Sequence, residues 1–76
     1  MDKAIAIPLV RFDRFGGPAV PDGEETVLIA QIDRLETHRD FEKKPLCYVR
    51  MKDGRTLLTS QHRRYIEQRI REIVNG

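Results

Sequence analysis

The chain has 76 residues, 39% of them hydrophobic and 34% charged, with a net charge of +2 and one cysteine. That length allows one domain and a small core, in which only about 60% of the unfolded surface is buried. The single cysteine, Cys47, excludes an internal disulfide and a cysteine-based zinc cluster.

Charge is unevenly placed. Residues 1–38 hold four Lys/Arg against seven Asp/Glu, a net of −3, whereas residues 39–76 hold ten against five, a net of +5. A basic half predicts an anionic partner, and the plain alternative is a solvated charged surface. The opening MDKAIAIPLVRF is too short for a membrane span, is broken by Pro8 and is followed by no signal-cleavage pattern. With the lone thiol, this predicts a cytoplasmic protein.

In AIAIPLVRF, Ile5, Ile7 and Leu9 alternate, which predicts a strand. Pro8 lacks an N–H, so the strand belongs at a sheet edge or carries a bulge. DRFGGPAVPDGEE, residues 13–25, is dense in Gly, Pro and Asp and is read as a mobile loop. It contains no phosphate-binding glycine motif. In TVLIAQIDRLETH the spacing of Leu28, Ile32 and Leu35 suits a helix, but the β-branched content favours a short strand, a turn near Ala30-Gln31 and a second strand from Ile32. RDFEKKP is a charged connection closed by Pro45.

LCYVRMKDGRTLLTS carries the clearest local signal. Two apolar runs flank Asp53-Gly54, the pair preferred in two-residue hairpin loops. A two-residue loop sets Lys52 opposite Arg55, Arg50 opposite Leu57 and Val49 opposite Leu58. Cys47, Val49, Met51 and Leu58 then face the core, and Tyr48, Arg50, Lys52, Arg55 and Leu57 face outward. The final stretch predicts an amphipathic helix capped by Ser60 and ended by Asn75-Gly76. Ile66, Ile70 and Ile73 form its buried stripe, with His62 at the N-terminal end of that stripe and Val74 on its flank. Arg64, Gln68 and Arg71 point away. The predicted fold is α+β: a small antiparallel meander of four or five strands with one C-terminal helix.

The layout I-x-x-I-(D/E), an apolar strand, a D-G hairpin, a second strand and an amphipathic helix spans more than half the chain. It resembles the FlbD/SwrD family of small flagellar proteins, which also share an N-terminal strand similar to IPLVRF. The first part of LytTR-type DNA-binding domains is similarly laid out. The matching positions are Ile29, Ile32, Asp33, Val49, Asp53, Gly54 and Leu58. The resemblance implies a small non-enzymatic factor with no defined ligand.

Catalytic and metal chemistry find little footing. His38 sits near Glu36 and Asp40, an arrangement that could serve acid/base work but more often belongs to a solvated charged turn. His62, Cys47 and Glu67 lack a ligand spacing, and Cys47 reads as a buried structural thiol. No enzyme activity, cofactor or metal is expected.

The basic surface is the better lead. Lys52 opposite Arg55 is a like-charge pair. Arg63 and Arg64 in the helix's first turn oppose the dipole by roughly 0.3–1 kcal/mol each, although an Arg63–Glu67 pair would offset part of that. Tyr48, Arg50, Lys52, Arg55, Leu57, Arg63, Arg64 and Arg71 are therefore the candidate partner- or anion-binding residues. The leading expectation is a regulatory or adaptor protein that binds another protein, acidic at the contact, or a second copy of itself. The alternative is nucleic-acid binding through Arg50, Lys52, Arg55, Arg63 and Arg64.

Overall fold

The computed structural model describes residues 3–12, 19–39 and 43–76. It is an α+β fold of five antiparallel strands and one C-terminal helix. The elements are β1 (Ala4–Phe12), β2 (Ala19–Leu28), a short 3-10 turn (Ile29–Gln31), β3 (Ile32–Arg39), β4 (Pro45–Met51), β5 (Thr56–Thr59) and α1 (Arg63–Asn75). β1 and β2 form one hairpin, and β3-β4-β5 form a three-stranded meander. β1 also runs beside β5 without a ladder.

The alternation in β1 buries Ile5 and Ile7, and Leu9 packs against the same cluster. Its ladder with β2 shifts register between Pro8 and Val10, which is the irregularity that Pro8 demands. The loop expected over residues 13–25 does not hold for its second half. Residues 19–25 belong to β2, and residues 13–18 lie outside the described residues. The turn-like trio Pro21-Asp22-Gly23 is absorbed as a bulge. Val10 pairs with Pro21 and Pro8 with Glu24, so Leu9 faces both Asp22 and Gly23. Gly23 takes φ +83°, a conformation that a glycine adopts at little cost. The turn at Ile29–Gln31 and the strand from Ile32 match the expectation from composition.

The β4–β5 hairpin corrects the predicted register by one residue. Met51 N–H donates to the Arg55 carbonyl at 2.8 Å, and Gly54 N–H donates to the Met51 carbonyl at 3.0 Å. The loop therefore has three residues, with Gly54 left-handed at φ +95°, the turn-plus-bulge form that is the next commonest hairpin. Val49 now pairs with Leu57 and Tyr48 with Leu58. A one-residue slip exchanges faces, so Leu57 is buried at 8% exposure and Leu58 is only half-buried. The apolar pattern Thr-Leu-Leu-Thr reads equally well in both registers, and the loop length decides between them.

The core joins Ile5, Ile7 and Val27 of the first hairpin to Cys47, Val49, Met51 and Leu57 of the meander, and Ile66 of α1 completes it. Ile70 and Ile73 flank that contact as the helical stripe requires, while Val74 stays exposed. Thr59, the one buried polar residue among those described, accepts from the Gln61 N–H at 3.3 Å. Two long-range anchors fasten α1. Lys3 Nζ donates to the Ile73 and Val74 carbonyls, both at 2.9 Å, and so satisfies and charge-complements the helix C-terminus. Arg69 Nη1 donates to the Ala6 carbonyl at 3.0 Å.

The helix cap also differs from expectation. His62, not Ser60, is the N-cap, and its Nδ1 accepts from the Arg64 N–H at 3.1 Å. Thr59 is still held in β5, so Ser60 and Gln61 are consumed in leaving the sheet before helical geometry begins. His62 is exposed and stands off the buried stripe. His62→Ala should cost about 0.5–2 kcal/mol, whereas His62→Asp should stabilise by about 0.5–1 kcal/mol, because a carboxylate both caps and suits the dipole. Ile66→Ala should cost about 2–5 kcal/mol. Urea denaturation of the three variants checks all three values.

Candidate functional site

Side chains alternate across a strand, so the meander has two distinct faces. The inner face is the core. On the outer face, β3 presents Arg34, Glu36 and His38, β4 presents Leu46, Tyr48 and Arg50, and β5 presents Thr56 and Leu58, with Leu46 buried opposite His38. The ladder sets Glu36 beside Tyr48 and Arg34 beside Arg50.

The last of these pairings places two like charges side by side, and Glu36 resolves it. Its Oε1 accepts from Arg50 Nε in a short contact and from Arg34 Nε at 3.1 Å. The Arg50 hydrogen bond, more than any other influence, holds the Glu36 carboxyl below its ordinary range. Arg50 is fixed further by Nη1 donating to Thr56 Oγ1 at 3.2 Å, and its guanidinium lies 5.6 Å from the centre of the Tyr48 ring. Tyr48 also meets His38, with ring centres 4.8 Å apart, and His38 in turn meets Phe12 edge-on at 6.3 Å. A continuous row results: Phe12, His38, Tyr48, Arg50, with Glu36 locking its charged end.

The remaining predicted residues scatter. Leu57 is in the core and cannot serve as an outward contact. Lys52 and Arg55 are not opposed, because the three-residue loop separates them. Arg55 instead pairs with Glu25 at 3.0 Å and with Asp53 at 3.2 Å. Attraction to Glu25 raises the Arg55 pKa, and the Arg55 N–H lowers that of Asp53. The like-charge cost attributed to Lys52 and Arg55 is therefore absent. Arg63 pairs with Glu67 at 3.6 Å, as the helical spacing predicts. Burial pushes the Cys47 thiol pKa up. Ile66 packs into the core with Cys47, Val49 and Met51, so α1 lies over the inner face, on the opposite side of β4 from Tyr48 and Arg50. Arg64, Arg71 and Lys52 are exposed and make no ion pair with another described residue.

His38, expected in a charged turn near Glu36 and Asp40, stands instead on β3 in contact with the Phe12 and Tyr48 rings, and Asp40 lies outside the described residues. The alternation of Glu36 and His38 was the available signal, but finding Phe12 required the tertiary fold. Among the described residues, no helix is long and apolar enough to cross a membrane.

Searches against protein-family models, curated proteins and solved structures return no match to this chain.

Glu36 and Asp53 both have lowered pKa values, so the stability they contribute is present above their ordinary values of 4.5 and 3.8. It is lost as pH falls through the lower folded-state values. The unfolding midpoint should therefore drop with acid across and below this range, and Glu36→Gln should flatten the dependence. Chemical denaturation between pH 6 and about pH 3 measures the slope.

Proposed function

We propose that this chain is a small non-enzymatic regulatory or adaptor protein that binds another protein through the outer face of its meander. One observation carries the reading: Tyr48 is half-buried in contact with His38 and the Arg50 guanidinium, and Arg50 is itself held by Glu36 and Thr56. Tyr and Arg are enriched among residues that dominate binding energy. A ring and a guanidinium already fixed in place lose little freedom on association. The face carries two arginines, Arg34 and Arg50, against one carboxylate, Glu36, so it suits a partner segment that joins an apolar side chain to an acidic one. The layout shared with the FlbD/SwrD family points the same way, and the shielded thiol suits a reducing cytoplasm.

Nucleic acid is the less well supported partner. Arg50, Arg55 and Arg63 are each engaged by carboxylates, and α1 packs on the inner face rather than beside the Tyr48 row. A phosphate backbone would meet a divided basic surface rather than a continuous one.

Tyr48→Ala should leave the fold intact, because the ring is half-exposed, and should weaken partner capture by at least about thirtyfold, the effect of losing roughly 2 kcal/mol. Titration with mixed-sequence DNA and RNA should give no salt-dependent amide shifts clustered on residues 48–55. Capture unaffected by Tyr48→Ala would reject this face. Salt-sensitive shifts clustered there would favour nucleic acid instead.

A further inference from the structure

The outer edges of the two sheets differ in a way that the outer-face reading does not use. β2 is one edge, since only β1 pairs with it, and β3 is another, since only β4 pairs with it. An unpaired edge invites another strand unless something blocks it. β2 is blocked. Pro21 removes a donor, the bulge at Asp22-Gly23 breaks the run, and Asp22, Glu24 and Glu25 would repel their own copies in an antiparallel pairing.

β3 reads Ile32-Asp33-Arg34-Leu35-Glu36-Thr37-His38-Arg39, and among the described residues no backbone group pairs with its outer edge. Antiparallel pairing with itself about Leu35 sets Leu35 opposite Leu35; the ladder with β4 is regular from Arg34 onward, and the register shift at Asp33 ends the regular run on that side. The same pairing sets Arg34 opposite Glu36 of the second copy, and this pair occurs twice by symmetry. Within one copy, Arg34 faces Arg50, a like charge, and shares a single carboxylate with it. The twofold gives each Arg34 a second carboxylate on its open side. Opposite charges directly across a ladder stabilise it, and like charges destabilise it. Asp33, Arg34, Thr37 and Arg39 are exposed, so no described side chain covers this edge.

We propose that β3 is a homodimerisation edge, pairing antiparallel with β3 of a second copy with Leu35 on the twofold axis and Arg34–Glu36 pairs on either side. The contact is isologous, so it closes at two copies rather than growing into a filament. It joins two meanders into a six-stranded sheet and brings the two outer faces side by side. It uses the backbone edge of β3 with Arg34 and Glu36, whereas the partner proposed for the Tyr48 row is met through Tyr48 and Arg50.

Sedimentation equilibrium of the full chain up to about 1 mM at low salt should show a monomer–dimer equilibrium that weakens as salt is added. Arg34→Glu replaces the like-charge pairing with Arg50 by an opposite one, so the monomer should stay folded. The dimer should weaken by at least about tenfold, because two attractive pairs become repulsive. Arg34→Lys should retain it. In a mixture of labelled and unlabelled wild-type chains, isotope-filtered NOEs should connect residue 34 of one copy to residue 36 of the other. A chain that stays monomeric throughout, a dimer undiminished by Arg34→Glu, or a dimer whose intermolecular NOEs lie elsewhere would each overturn the assignment.

Discussion

The fold depends on one junction: Ile66, fully buried, sits where the β1–β2 hairpin, the meander and α1 meet. The two sheets share no hydrogen-bonded ladder. What holds them together is side-chain burial, the Glu25–Arg55 ion pair and α1, which Lys3 and Arg69 tie to the first hairpin. A two-stranded hairpin is marginal alone in water, and a 13-residue helix is marginal without a surface to pack on. Each element therefore borrows stability from the others, and Ile66 is where the loans meet.

That arrangement fixes where recognition surfaces can be. Because α1 covers the inner face, the outer face of β3-β4-β5 is left exposed around Arg34, Glu36 and Arg50, and these side chains satisfy one another, while Leu46 at the other end of the face is buried. Glu36 serves two arginines and thereby orders the guanidinium beside Tyr48. The helix that carries Arg63 and Arg64 is placed by the same docking on the other side of the sheet. Their unfavourable position at the helix start is offset locally by the His62 cap and by Glu67 for Arg63, rather than by joining the Tyr48 row.

Local periodicity was legible. The alternation of Ile5 and Ile7, the turn before Ile32, the buried Cys47 and Val49 and the helical stripe of Ile66, Ile70 and Ile73 follow from spacing alone. The errors share a cause. Asp53-Gly54 is compatible with loops of two or three residues, and Thr-Leu-Leu-Thr cannot arbitrate, so the predicted register slipped by one and put Leu57 outside. Pro21-Asp22-Gly23 carries the composition of a turn, but Gly23 can also take its positive φ inside a strand as a bulge. Ser60 is a good cap by type, yet the burial of Thr59 delays the helix to Arg63.

The sequence by itself determined the class of each element, the apolar set available for burial and the unequal distribution of charge, because these follow from spacing and from side-chain chemistry within a few residues. Only the tertiary structure decided which charges meet. Glu36 finds Arg50 fourteen positions away, Glu25 finds Arg55, and Phe12 finds His38. Coulomb attraction and ring stacking act over a few ångströms, and chain separation does not record such distances. Three ladders and one docked helix divided a basic half-chain into arginines held by carboxylates, Arg50, Arg55 and Arg63, and cations set apart from them, Lys52, Arg64 and Arg71.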